Sequence, residues 1–152
     1  MFSEKTQAIG QEYTARHGER AGVFGDKPYG NYGLWARKGM QIDDACAALT
    51  EAVAERAGMT RGDRVLEVGC GYGAATLHYT LLHEPASVVG IDVSDVRLEE
   101  ARAYLSENGV SERVNLRLGD AAALDFDAGS FDRVLAIECA LHFDTREKFF
   151  HE

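Results

Sequence analysis

Long apolar runs are missing from this chain. No stretch approaches the ~20 consecutive apolar residues of a membrane span, and the opening MFSEKTQAIGQEYTARHGER has no apolar core of signal-peptide length. The expectation is a soluble, cytoplasmic protein with no membrane partner. Positive charge is scarce as well: 16 Lys and Arg against 25 Asp and Glu leave a net charge of −9. That balance argues against a nucleic-acid backbone as the main partner and raises no objection to a cationic small molecule. Cysteine is sparse. Cys46, Cys70 and Cys139 are widely spaced and form no CxxC pair, which suits reduced thiols rather than a disulfide framework or a metal knuckle, so no metal is expected.

What is present is one globular domain's worth of chain, 152 residues with 45% hydrophobic content. A domain of that size buries roughly 70% of its unfolded surface and needs no covalent staples. Residues 1–20 are polar and weakly patterned and read as a helix able to fold over a site. GVFGDKPYGNYGLWARKG follows, dense in glycine and aromatics, and reads as ordered but irregular. Together residues 1–40 are expected to form an N-terminal, substrate-side lid, and 41–152 the main domain.

From Ile42 the period becomes helical: Ile42, Ala45, Cys46, Leu49, Ala52, Val53 and Arg56 share a face, with Asp43 as N-cap and Gly58 as the stop. Val65–Val68 reads as a strand, Ala74–His83 as a helix and Ser87–Val93 as a second strand. Ser94 is placed to cap a helix that ends at Gly109. Val114–Leu118 and Phe131–Cys139 read as strands three and four, and Asp144 with Glu147 as a capping box for a last helix. Near-continuous apolar strands signal burial on both faces. Helical crossovers between them describe a parallel, doubly wound, Rossmann-like α/β sheet of about four strands in the order 3-2-1-4. Strand four reads as central, yet no later strand is there to pair with it. The chain is therefore expected to be the front part of a larger domain, with self-association or a complementary C-terminal half covering that edge.

The chemistry concentrates in VLEVGCGYGAATL, residues 65–77, where an apolar strand carrying Glu67 runs into Gly69, Gly71 and Gly73. In a doubly wound sheet the ligand lies beyond the carboxyl ends of the strands. The first turn must let its backbone approach that ligand, and the helix after it offers unpaired N–H groups. Asp92, at the end of strand two, is placed to accept both hydroxyl hydrogens of a ribose. Asp120, just after strand three, is placed to accept from an adenine amino group. Read as GxGxxA, the loop also fits a dinucleotide fingerprint. Glu67 weighs against that reading, because a pyrophosphate is repelled by an anion where an amino group or a sulfonium is not. So does the helix that precedes strand one.

ExGCGYG at 67–73, GIDVS at 90–94, LGDA at 118–121 and the strand-four motif, taken in order, resemble the class I S-adenosylmethionine-dependent methyltransferases. YGNYGLW at 29–35 followed by DDACAAL resembles the subgroup acting on small molecules such as antibiotics, polyketides, sterols and phosphobases. The resemblance covers about residues 25–152. It implies methyl transfer from S-adenosylmethionine to a small-molecule acceptor, expected to be a hydroxyl oxygen of a natural product. It further implies that Glu67, Gly69, Cys70, Gly71 and Gly73 hold the methionine end, Asp92 and Val93 the ribose, and Asp120 and Ala121 the adenine. Glu138 would face the methionyl part or the substrate mouth, and either it or His142 would assist deprotonation of the acceptor. The seven-stranded family fold is incomplete here, so an inactive or split cofactor-binding half stands as an alternative. A nicotinamide-dependent oxidoreductase is the alternative of another class.

Each of these residues also has a plainer reading. Glu67 could pair with Arg64, and Cys70 could simply fill the loop, since no base adjoins it in sequence. His142, after strand four, has the right ordinary pKa for a general base, or is a loop histidine bonded to backbone. Tyr29, Tyr32 and Trp35 either cover the methyl donor with aromatic faces or pack the lid. His78 and His83, on the helix behind the loop, read as structural or exposed.

Overall fold

A computed structural model describes residues 2–16 and 25–152. The expected N-terminal helix is α1, Glu4–Ala15; the end of that expected segment and the start of the irregular one, residues 17–24, lie outside the described residues. Residues 25–41 are irregular, as their glycines and aromatics require. There follow α2 (Ile42–Arg56), β1 (Arg64–Val68), α3 (Ala74–His83), β2 (Ser87–Asp92) and α4 (Asp95–Glu107). The chain continues through β3 (Val114–Leu118), β4 (Arg133–Ala136), a 3₁₀ turn at Ala140–His142, and α5 (Arg146–His151). The four strands form one sheet in the order β3-β2-β1-β4, every pair parallel.

Period-two alternation divides β1 between two cores. Leu66 and Val68 pack with Ile91 and Ala121 on one face, joined by Phe126, Phe131 and Phe149. Val65 packs on the other with Tyr79, Val88, Leu135 and Ala54, so Glu67, two residues on, looks toward α3. Burial on both faces holds for β1 and most of β2. It fails for the outer strands: Arg117 and Leu118 of β3 and Val134 of β4 are exposed. An edge strand has a neighbour on one side only, and apolar composition alone does not distinguish the two situations. Strand four is also shorter than Phe131–Cys139, and strand two stops at Asp92, one residue short of Val93.

Three expected caps are corrected. Gln41, not Asp43, is the N-cap of α2; the Asp43 carboxylate instead accepts from the backbone N–H groups of Asp26 and Lys27, tying the irregular segment to α2. Ser94 does occupy the N-cap position of α4 but makes no capping bond. Its hydroxyl meets Thr14 of α1 at 3.1 Å. Thr145 rather than Asp144 caps α5, accepting from Lys148 N–H. In each case a competing polar partner, or a one-residue shift, takes the role that local sequence assigned.

The placement of α1 matters most for function. It lies across the carboxyl ends of β2 and β3, where Thr6 donates to Asp120 at 2.8 Å and Lys5 Nζ donates to the Phe143 carbonyl. Gly10 makes the approach close: a Cβ there would sit 2.7 Å from the Val93 carbonyl oxygen.

Candidate active site

The loop between β1 and α3 is shaped by left-handed backbone at Gly69 (φ 69°), Gly71 (φ 55°) and Gly73 (φ 82°). Gly69 N–H and Cys70 N–H both donate to the Ile91 carbonyl, at 2.7 and 3.0 Å, which fixes the loop against the end of β2. Asp92 completes the anchoring: Oδ2 accepts from Gly71 N–H at 2.9 Å and Oδ1 from Ser94 N–H at 3.0 Å. Burial pushes the Asp92 carboxyl upward, while the nearby Arg97 guanidinium and these backbone N–H groups pull the other way.

Glu67 is 2% exposed and does not pair with Arg64, which binds Asp132 on the surface. Its Oε2 accepts from Thr76 Oγ1 at 2.5 Å and from Tyr79 OH at 2.9 Å. Those two donors lie three residues apart on α3 and so share the face turned to β1. Burial pushes the Glu67 carboxyl up to about 7 despite both donors. The result is an acid held rigidly at the floor of a site and poised to change charge near neutrality.

These residues line a cavity of about 600 Å³ above the strand ends. Gly69, Cys70, Gly71, Tyr72, Asp92, Val93, Asp120 and Ala121 form its floor and far wall, while Tyr29, Glu138 and His142 stand on the near side. Cys70 is buried and its thiol is pushed well up by that burial, as for an inert filler. Asp120 accepts from Thr6 on one oxygen and from Ala122 N–H on the other. Tyr29 is buried among Cys46 and Ala74. Trp35 does not line the cavity; it is 56% exposed and donates its indole N–H to the Tyr32 carbonyl. His78 lies on α3 away from the cavity, 3.9 Å from Glu51, and His83 ends the same helix.

Two polar residues on the near side, His142 and Glu138, are held by residues from the N-terminal part of the chain. His142 Nε2 lies 2.5 Å from the hydroxyl of Tyr13 on α1, with the rings edge to face. Partial burial lowers the imidazole's pKa, with Glu12 acting against it and Arg97 and Lys5 in the same direction, which favours the neutral ring. Glu138 has a positive φ of 52° and accepts from Tyr32 N–H at 2.5 Å. Its strained backbone is held by the segment that passes over the cavity.

A methyltransferase-domain family profile matches residues 65–152, which include the glycine loop and all three buried acids. The chain belongs to the class I S-adenosylmethionine-dependent methyltransferases. Erythromycin 3''-O-methyltransferase of Saccharopolyspora erythraea is 38% identical over 122 residues, covering 80% of this chain and 40% of that protein. The [4+2]-cyclase SpnF superposes with a TM-score of 0.84 at 30% identity, over 95% of this chain and 53% of that one. An N-methyltransferase of Haemonchus contortus, solved with phosphomonomethylethanolamine and S-adenosylhomocysteine, superposes with a TM-score of 0.61 at 28% identity, over 66% of this chain and 23% of that one. The chain spans about half the length of the curated relatives it matches. Membership in this family replaces the nicotinamide-dependent reading. No described helix is long and apolar enough to cross a membrane.

Sequence reasoning missed Thr6, Tyr13 and Arg97, all of which line the cavity. Nothing in the first 20 residues marks Tyr13, because its partner His142 is 129 residues away. The pair Thr76 and Tyr79 did carry a signal: two hydroxyls one turn apart on the helix after a buried acid.

Proposed function

We propose that this chain binds S-adenosylmethionine across the ends of β1, β2 and β3 and catalyses transfer of its methyl group to a hydroxyl oxygen of a small natural product. One observation carries the reading: a single cavity brings three buried acids at successive strand ends together with a tyrosine–histidine pair. The donor set fits the cofactor. A buried carboxylate beside the glycine loop opposes a pyrophosphate and suits an ammonium, and Gly71 leaves the loop backbone open, since a Cβ there meets nothing within 4 Å. Glu67 would face the methionine ammonium, Asp92 and Val93 the ribose, and Asp120 and Ala121 the adenine edge, with Gly69, Cys70 and Gly73 shaping the loop. Residues 1–40 would act as the lid over residues 41–152.

When bound, the cofactor supplies an activated methyl group on a cationic sulfur that leaves as a neutral thioether. The protein's part is alignment, exclusion of water and removal of one proton. The acceptor O–H proton passes to the Tyr13 oxygen as the Tyr13 proton passes to His142 Nε2, leaving an imidazolium to be discharged to solvent. Tyr29 closes the cavity beside α2, and Glu138 holds the Tyr32 backbone over it. The acceptor class follows the O-methyltransferase relative; a second polypeptide segment or a second copy pairing along β4, where Val134 is 50% exposed, would complete the wall. Three unpaired cysteines suit a cytoplasmic setting.

Likeness to a [4+2]-cyclase supports a second reading, ring formation in the same cavity without methyl transfer. A cycloaddition needs no proton acceptor, and the Tyr13–His142 pair provides one, so methyl transfer is preferred. Calorimetry with S-adenosylhomocysteine and with NAD tests the cofactor: the first is expected to bind and the second not. Mass spectrometry of hydroxylated acceptors then separates the reactions. A gain of one methylene unit supports methyl transfer, and an isomer of unchanged mass supports the cyclase.

A further inference from the structure

Arg97, in the first turn of α4, is a cation in the cavity wall with no conventional partner. Its guanidinium makes no hydrogen bond or ion pair with a described residue, and its Nε is inaccessible and unpaired. Two aromatic rings flank it, with the Asp92 carboxylate near enough to feel its charge. The guanidinium carbon lies 3.8 Å from the Tyr13 ring centroid on α1 and 5.0 Å from the Tyr72 ring centroid in the glycine loop. A planar cation on a ring face is attracted by the ring quadrupole, the more so when water is excluded. Tyr13 is the residue whose hydroxyl meets His142, and Tyr72 sits between Gly71 and Gly73. Arg97 therefore bridges the loop assigned to the cofactor and the helix assigned to proton transfer.

We propose that Arg97 is a positioning residue: wedged between Tyr13 and Tyr72, it clamps α1 over the cavity and holds the Tyr13 phenol on His142. Thr6, Gly10 and Thr14 fix the course of α1 along the strand ends. Arg97 lies over the Tyr13 ring itself, and so sets where its hydroxyl points. Burial raises the Tyr13 phenol above its ordinary range and Arg97 is the largest opposing influence, which fits a cation placed to ease that proton's movement. The proposal rests on the methyl-transfer reading only where turnover is measured.

The test compares Arg97→Met, which keeps length and loses charge, with Arg97→Lys, which keeps charge and loses the plane. Amide exchange over residues 4–15 is read first, without turnover. Arg97→Met is expected to speed it about 5- to 30-fold, the equivalent of the ~1–2 kcal/mol of a desolvated cation–π contact, with Arg97→Lys in between. In turnover, Arg97→Met is expected to lower kcat at least tenfold with little change in acceptor KM, and Arg97→Lys to restore part of it. Combining Arg97→Met with Tyr13→Phe is expected to cost no more than the worse single change. Unchanged exchange over 4–15 overturns the clamp. Multiplying rather than shared effects in the double variant overturn action through Tyr13. A parent chain that binds S-adenosylhomocysteine yet methylates nothing defeats the function reading alone, and the exchange measurement still decides the clamp.

Discussion

The two sides of the cavity are built on different physical terms. On the β1–β2 side, Glu67 and Asp92 are buried, their oxygens bonded to hydroxyls of α3 and to backbone N–H groups of the glycine loop and the α4 N-cap. On the side formed by α1 and the turn after β4, Glu138 is exposed and His142 only half-buried. Their partners, Tyr32 and Tyr13, come from more than 100 residues away in the chain. The first side is preorganised by neighbours close in sequence, as suits an invariant ligand. The second is assembled from elements far apart in the chain, where the proposed acceptor and proton path would lie.

The sharpest way to separate the two sides is His142→Ala. General-base removal costs about 100- to 10,000-fold in rate, and kcat is expected to fall by that factor while affinity for S-adenosylhomocysteine, measured by calorimetry, stays within about threefold. Tyr13→Phe is expected to follow it with a smaller loss. An unchanged kcat in His142→Ala would remove the base assignment and leave the β1–β2 side untouched.

Within the β1–β2 side, two glycines should fail in opposite ways. An added Cβ at Gly69 would lie 2.6 Å from Cys139 Cβ, an atom fixed to the backbone. Left-handed strain of about 1–2 kcal/mol then adds to about 1–3 kcal/mol of overpacking, and Gly69→Ala is expected to lower unfolding free energy by about 4 kcal/mol in a denaturant titration. Gly71→Ala meets nothing within 4 Å, so only the strain remains, about 1–2 kcal/mol. Its larger effect should be on ligand affinity. Equal stability losses in the two variants would show that Gly71 serves the turn rather than the ligand.

The same contrast explains what was legible in the sequence. The four strands, the glycine turn, the buried position of Glu67 and the strand-end acids follow from patterns within about 10 residues, and all are found where expected. Asp43 and Ser94 misled because a polar side chain near a helix start has several N–H groups and hydroxyls within reach, and tertiary partners won. Tyr13 and Arg97 could not be read at all: a tyrosine on a polar helix and an arginine in an amphipathic one look solvated until the fold stacks them. Trp35, the most conspicuous aromatic of its segment, fits a cover for the methyl donor or lid packing equally by sequence, and stands outside the cavity wall.

Glu67 gives the finest discrimination, because its fold-raised pKa ties stability to pH with a definite sign. The buried carboxyl holds its proton up to about pH 7, whereas its ordinary value is 4.5. Between those limits the folded state binds a proton that the unfolded chain has released, so its contribution is fully present below pH 4.5 and is lost as pH rises through about 7. At about 1.4 kcal/mol per unit the loss is about 3 kcal/mol. Glu67→Gln keeps an acceptor for Thr76 and Tyr79 and has no charge to bury. It is expected to match the parent near pH 4 and to exceed it by about 3 kcal/mol at pH 8, read from urea midpoints. The ligand should respond in the opposite sense. Ionised Glu67 attracts an ammonium, so parent affinity for S-adenosylhomocysteine is expected to rise between pH 6 and pH 8. Glu67→Gln should lose that dependence and bind about 10- to 100-fold more weakly at pH 8, the cost of one charge-assisted hydrogen bond. Gain in stability with loss of affinity is the pattern of an acid retained for its ligand; gain in stability with unchanged affinity would make Glu67 a structural acid and return the methionine end to the glycine loop alone.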